Sequence, residues 1–184
     1  MRRISVVGSS GSGKTTFARQ LATKLHLPHV ELDSLFWDAD WTQVDDDTFR
    51  ARVDDATAGD AWVADGNYAR TRDIVLARAD TVVWLDLPLG TCLGRILKRT
   101  ARRARTREEL WSGNRESWRR HFTGNSLVWW LVTSYRRKRR EYEASFFGPQ
   151  LGCRSRSAST ASTTACPVML GFDCGRRLSS SSPR

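Results

Sequence analysis

The feature that most constrains this chain is the stretch Gly8-Ser9-Ser10-Gly11-Ser12-Gly13-Lys14-Thr15. It lies between a short β-branched apolar run, 3–7, and a segment with helical spacing, 14–26. In that segment Phe17, Ala18, Leu21, Ala22 and Leu25 recur on one face, and Pro28 follows. The stretch satisfies GxxxxGK[ST], and average residue usage makes a chance match in a chain this long a matter of roughly a few in a thousand. Its place between a strand and a helix is the context the motif needs. Glycines let successive backbone N–H groups turn inward as an anion nest. The helix that follows adds its positive end. Lys14 brings a mobile ammonium to β- and γ-phosphates, and Thr15 offers a hydroxyl to Mg²⁺. The expected ligand is therefore ATP with Mg²⁺, held by Gly8, Ser9, Ser10, Gly11, Ser12, Gly13, Lys14, Thr15 and Thr16.

The rest of the chain alternates strands with helices. Strands are expected at 29–32, 61–64 and 81–85. Helices are expected at 45–58 (with Asp45 as cap), 71–79, 89–105 and 126–147, and an aromatic, acidic loop at 33–42. The 81–85 run shows no polar alternation after Thr81, as a strand covered on both faces would have. Alternation of this kind implies a parallel sheet with helices on both sides, a three-layer α/β domain. The domain should span 1–147. The character then changes: Gly148-Pro149 breaks the last helix, and a Ser/Thr-rich stretch follows to the serines 179–182. The tail 148–184 is expected to be disordered, or to derive from a shifted reading frame, apart from an edge strand at 168–170.

Charge is unevenly placed. The total is +10. The first ninety residues are acidic, with ten Lys/Arg against fourteen Asp/Glu, whereas 91–147 carry fifteen against five. A basic half can attract nucleic acid or a polyanion such as ATP. No apolar run reaches the length of a membrane span. The four cysteines, Cys92, Cys153, Cys166 and Cys174, form no CxxC pair. They read as thiols of a reducing cytoplasm.

A phosphate loop fixes a ligand, not a reaction; phosphoryl transfer depends on positioning and charge neutralisation. Asp65 should end the third strand at the carboxyl edge, where open α/β sheets bind ligands, and could hold Mg²⁺. Asp33, ending the second strand, could act as base toward a hydroxyl or orient the acceptor. Arg50, Arg70 and Arg72 could hold an acceptor phosphate, and Phe36, Trp37 and Trp41 could stack on a flat acceptor ring. Arg95 and Arg99, four apart on one helix face, with Arg107 beyond, could close over the transferring phosphoryl group. Asp86, near Pro88, reads as a structural turn. The run 136–140, five consecutive cations, reads as solvated surface or a weak nucleic-acid patch.

Four segments, VVGSSGSGKTTFARQLA, LDSLFW, WVADGNYAR and VVWLDLPLGTCLGRILKR, carry a resemblance to the adenylate kinase-related branch of P-loop kinases. Within it the sequence is most similar to small bacterial proteins labelled topology modulation proteins. The likeness covers about residues 3–122 and weakly extends to 147. It implies strand order 2-3-1-4-5, an acceptor-binding insertion at about 34–60 and a short lid at about 99–122. It also implies that Asp65-Gly66 with Arg70, and Arg95 with Arg99, take the family's acceptor and lid roles, with Arg107 as a further lid arginine. There are departures: Arg70 stands one residue later than the pattern, the lid has no metal-binding cysteines, and the tail lacks the expected closing strand and helix. The implied activity is transfer of the γ-phosphoryl group of Mg-ATP to a small acceptor, with a nucleoside monophosphate preferred. The Asp33-Ser34-Leu35-Phe36 element also resembles the acceptor loop of uridine kinases, which keeps a hydroxyl acceptor open. A nucleic-acid-associated ATPase is the alternative of a different class. A GTPase is disfavoured by the lack of Asn-Lys-x-Asp, and shikimate kinase by the lack of a glycine triplet after the third strand.

Overall fold

The computed structural model describes residues 1–106, 127–147 and 168–173. Strand β1 (Arg3–Gly8) leads through the glycine loop into α1 (Lys14–Leu25), then β2 (His29–Glu31), the one-turn α2 (Leu32–Phe36), and a 3-10 turn at Ala39–Trp41. Helix α3 (Asp46–Ala56), β3 (Trp62–Asp65), a 3-10 turn at Ala69–Thr71, α4 (Arg72–Arg78) and β4 (Thr81–Asp86) follow. Helix α5 (Leu89–Thr106), helix α6 (Leu127–Phe147) and β5 (Val168–Asp173) complete the described chain.

The five strands form one parallel sheet in the order β2-β3-β1-β4-β5, as the resemblance implied. Both faces are covered, and the central strands β1, β3 and β4 are buried along nearly their whole length. Alternate residues of β3 and β4 feed opposite cores. Trp62, Ala64, Val82 and Trp84 join Phe49 and Val53 of α3 and Val75 of α4. Val63, Val83 and Leu85 join Ala18 and Ala22 of α1 and Ile96 of α5. Helix α6 belongs to both, with Leu131 and Tyr135 in one core and Tyr142 in the other. Phe49 and Val53 are wholly buried, so truncating Phe49 to alanine would cost about 3–5 kcal/mol.

Local signals explain most boundaries. Asp45 caps α3, accepting from Thr48 N at 2.9 Å and Thr48 Oγ1 at 2.7 Å. Those hydrogen bonds hold its carboxyl below the usual range. Helix α1 ends where His26 turns left-handed (φ 54°), two residues before Pro28.

Two expectations need correction. Residues 33–42 are not a plain loop, and Asp33 does not end a strand. Strand β2 stops at Glu31, and α2 turns Leu32 and Phe36, four apart, into the same core. One helical turn is too short for its period to show in sequence. The closing strand is present and longer than expected, with Val168 to Asp173 registered against Thr81 to Asp86. Pairing with the open edge of β4 makes this strand, and local composition gives little sign of it. The remaining tail, 148–167 and 174–184, lies outside the described residues.

Candidate functional site

The glycine loop crosses the carboxyl edge of the sheet between β1 and α1. Gly11 (φ 79°) and Gly13 (φ 92°) are left-handed, the region that favours glycine. A Cβ at Gly11 would run into the Cys92 carbonyl oxygen and Ile96 of α5, so the loop lies directly on that helix. Gly13 is the N-cap of α1, and among the described residues no side chain bonds to this cap. A helix start of this kind has N–H donors to offer an anion. Ser12 N donates to Ser9 O at 3.1 Å, closing the loop.

Lys14 Nζ donates to Ser9 O at 3.0 Å. Burial lowers the Lys14 pKa, and the charges of Asp33 and Asp65 oppose that shift. A triphosphate would supply the countercharge that a desolvated ammonium lacks. Arg95 of α5 reaches the loop from outside, Nη1 donating to Ser12 O at 3.0 Å. Arg99, one turn along, lies near enough to add a like charge against Lys14. Arg107 lies outside the described residues, as does the expected lid beyond Thr106. The left-handed glycines, the N-terminus of α1 and Lys14 fit the phosphates of ATP.

Thr15 Oγ1 donates to Asp65 Oδ2 at 2.7 Å, joining the start of α1 to the end of β3. Asp65 is only 3% exposed. Its other oxygen, Oδ1, lies 2.7 Å from His29 Nε2. A hydroxyl and a carboxylate fit Mg²⁺, which prefers oxygen and keeps several waters. Among the described residues no cluster of three His, Cys, Asp or Glu could cage a metal by itself, so the phosphates and water would complete the coordination.

On the acceptor side, Tyr68 Oη donates to Asp33 Oδ1 at 2.6 Å. Burial, then the Asp33 charge, push the Tyr68 pKa up, so it stays a donor. Phe36 is buried at 6%, its ring against Trp37, Phe49 and Tyr68. That assigns Phe36 to packing, not to stacking on an acceptor. Trp37 is half-buried and meets Trp41 edge-on at 5.5 Å. Asp40 and Trp41 both have positive φ, so this aromatic loop holds strain of a kind that clusters at ligand sites.

The three arginines read as phosphate holders each meet a carboxylate. Arg50 pairs with Asp73 (2.6 Å), Arg70 with Asp46 (2.5 Å) and Arg72 with Glu141 (2.7 Å). Arg70 also lies over the Phe36 ring, and Arg72 over Tyr142.

The run 136–140 is not one solvated patch. Helix α6 is pinned across the sheet edge by Tyr135 Oη donating to Leu87 O (2.8 Å) and by Arg139 with Asp86 (2.7 Å). Lys138 is half-buried. Burial, then the nearby charge of Lys14, lower its pKa to about 8. Arg136, Arg137 and Arg140 stay exposed. Of the five consecutive cations only Lys138 is half-buried, and Arg139, though exposed, is paired with Asp86, which the charge count alone conceals. Lys138, His29 and Tyr68 escaped the sequence reading. Only the spacing of Tyr135, Lys138 and Tyr142, three and four apart on one helix face, signalled any of them.

No family model matches the chain, and no curated protein matches it. Among solved structures it is similar to shikimate kinase from Acinetobacter baumannii in complex with shikimate. The identity is 19%, over 90% of this chain and 87% of that one, with a TM-score of 0.50. It is also similar to a gluconokinase from Sinorhizobium meliloti 1021, at 17% identity, 96% and 84% coverage and a TM-score of 0.49. A sugar kinase from Janibacter sp. HTCC2649 matches at 17% identity, 94% and 85% coverage and a TM-score of 0.46. The likeness to the shikimate kinase structure, at this identity, shows the fold alone: a three-layer α/β domain built on a parallel sheet. No helix among the described residues is long and apolar enough to cross a membrane.

Proposed function

We propose that this chain is an ATP-dependent phosphotransferase acting on a hydroxyl group of a small molecule. The observation that carries the reading is Asp33. Its carboxylate stands near enough to influence the Lys14 ammonium of the phosphate loop, and Tyr68 fixes one of its oxygens at 2.6 Å. A positioned carboxylate beside the phosphate lysine suits a hydroxyl that must lose a proton.

In this reading the acceptor hydroxyl donates to Asp33. As its oxygen bonds to the γ-phosphorus, the proton passes to Asp33 and the bond to the bridging oxygen of ADP breaks. The backbone N–H groups of the loop, Lys14, Arg95 and Arg99 meet the charge on the phosphoryl oxygens. Thr15 and Asp65 would hold Mg²⁺, which when bound would supply charge neutralisation to the phosphates. Trp37 and Trp41 would border the acceptor.

A nucleoside monophosphate is the second reading, and the adenylate kinase-related resemblance favours it. Its structural support is Arg70, whose partner Asp46 is 60% exposed. A surface ion pair is worth only about 0–1 kcal/mol, so a phosphate could displace it. The nucleic-acid reading has weaker support, because Arg139 already pairs with Asp86 and Lys138 is half-buried.

The test is ADP release from Mg-ATP against nucleosides, polyols, hydroxy acids and nucleoside monophosphates. Hydroxyl acceptors are expected to stimulate turnover, and Lys14→Ala to lower it by about 10²–10³-fold or more. Stimulation by monophosphates alone would move the assignment to the second reading. Stimulation by duplex DNA alone, or acceptor-independent hydrolysis only, would end the phosphotransferase reading.

A further inference from the structure

At the sheet edge Thr15, the last residue of the phosphate loop, joins Asp65 and His29 in a polar chain. Asp65 Oδ2 receives the Thr15 hydroxyl and Oδ1 lies against His29 Nε2, both at 2.7 Å. Thr15 starts α1, Asp65 ends β3 and His29 starts β2, so three elements meet on one carboxylate. The register His29↔Val63 and Glu31↔Asp65 puts His29 diagonal to Asp65 on the α1 face of the sheet. That diagonal is about 7–8 Å between backbones, and an imidazole is long enough to cross it. A carboxylate oxygen accepts, so this bond uses the tautomer with the hydrogen on His29 Nε2.

A carboxylate offers about four lone-pair directions. Thr15 and His29 each occupy one, on different oxygens. Thr15, by donating its hydrogen to Asp65, turns its own lone pairs away from that bond. Without His29, Asp65 could rotate about χ2 and lose the Thr15 contact. We propose that His29 is a positioning residue: it locks the Asp65 carboxylate so that Thr15 and Asp65 together present preset oxygen donors to the divalent cation that accompanies ATP. This rests on the Mg²⁺ reading of Thr15 and Asp65 above. The bland alternative is a histidine that merely fills the edge of the core; its side chain is 17% exposed and pairs with a carboxylate that is 4% exposed.

The experiment uses the full chain and Mn²⁺ as the metal probe. Mn²⁺ binding is followed by electron paramagnetic resonance in the presence of the β,γ-imido analogue of ATP. Binding of the same analogue in EDTA is measured by calorimetry. His29→Leu and His29→Asn cannot make the bond, the second because it is too short. His29→Gln keeps an N–H donor at similar reach. The two non-bonding variants are expected to weaken Mn²⁺ binding about 10-fold, the lower end for lost outer-shell partners. They should leave analogue binding in EDTA within about 2-fold, and His29→Gln should stay within about 3-fold of the parent for Mn²⁺. Unchanged Mn²⁺ binding in the folded non-bonding variants would overturn the proposal. So would equal losses with and without metal, which mark a packing role, or a His29→Gln variant as weak as His29→Leu. Asp65→Asn separates the two levels. If it weakens Mn²⁺ binding while the His29 variants do not, only the role of His29 falls. If Asp65→Asn leaves Mn²⁺ binding intact, the metal reading falls and takes this proposal with it.

Discussion

Within the phosphate loop itself the contacts are short in sequence: Lys14 reaches Ser9 five residues back, and Gly13 caps the helix that Lys14 begins, while Arg95 and Asp65 meet the loop from distant elements. On the acceptor side they are long. Asp33 is met by Tyr68 thirty-five residues on, Arg50 by Asp73, and Arg72 by Glu141. The first region presents backbone donors and a lysine whose charge burial disfavours. The second presents charges that already have partners on the protein. This contrast teaches that the phosphate half is preset by backbone geometry and is indifferent to what receives the phosphoryl group. In the proposed reading, selection of the acceptor would rest on side chains whose partners the fold supplies.

The sharpest way to break that comparison is at Asp33. Asp33→Asn keeps the size and a hydrogen-bonding group but removes the base. Turnover with a hydroxyl acceptor should fall by about 10²–10⁴-fold, whereas ATP affinity, measured by calorimetry, should change little. Equal losses in both would mean that Asp33 serves the phosphate half instead.

The opposite variant is Gly11→Ala. Its Cβ would meet the Cys92 carbonyl oxygen and Ile96, at a backbone conformation that L-residues rarely adopt. The expected cost is about 1–3 kcal/mol, read by denaturant unfolding, together with weaker ATP binding. Parent-like ATP affinity would show that the loop has more freedom than its seat on α5 implies.

The smallest effect is expected at Lys138, where the two regions meet. Its folded pKa of about 8 lies below the 10.5 of an ordinary lysine. Between about pH 8 and 10.5 the unfolded chain holds a proton that the folded chain has released, so this residue's contribution makes stability rise with pH there. Lys138→Met should therefore stabilise the fold at pH 7 by about 1 kcal/mol, or roughly 2–4 °C in Tm. The gain should vanish by about pH 10.5. ATP or acceptor affinity should fall in the same variant, because a cation near Lys14 is lost; a variant that gains stability without losing affinity would place Lys138 outside the site.

Much of this molecule was legible in its sequence. The loop from Gly8 to Thr15, the Asp45 cap and the alternation of strands with helices all rest on local rules, and the order β2-β3-β1-β4-β5 matches what the resemblance implied. Backbone conformation is encoded over a few residues, so glycines at fixed spacing and a run such as Trp62–Asp65 declare themselves. The tertiary structure decided what those residues touch. His29 reads as an ordinary strand residue until the β2–β3 register sets it beside Asp65. Phe36 reads as a stacking platform until α2 turns it inward. Lys138 reads as one of five surface cations until the packing of α6 half-buries it, within range of the Lys14 charge. Strand register and helix rotation bring together residues tens of positions apart, and a linear pattern carries no record of either.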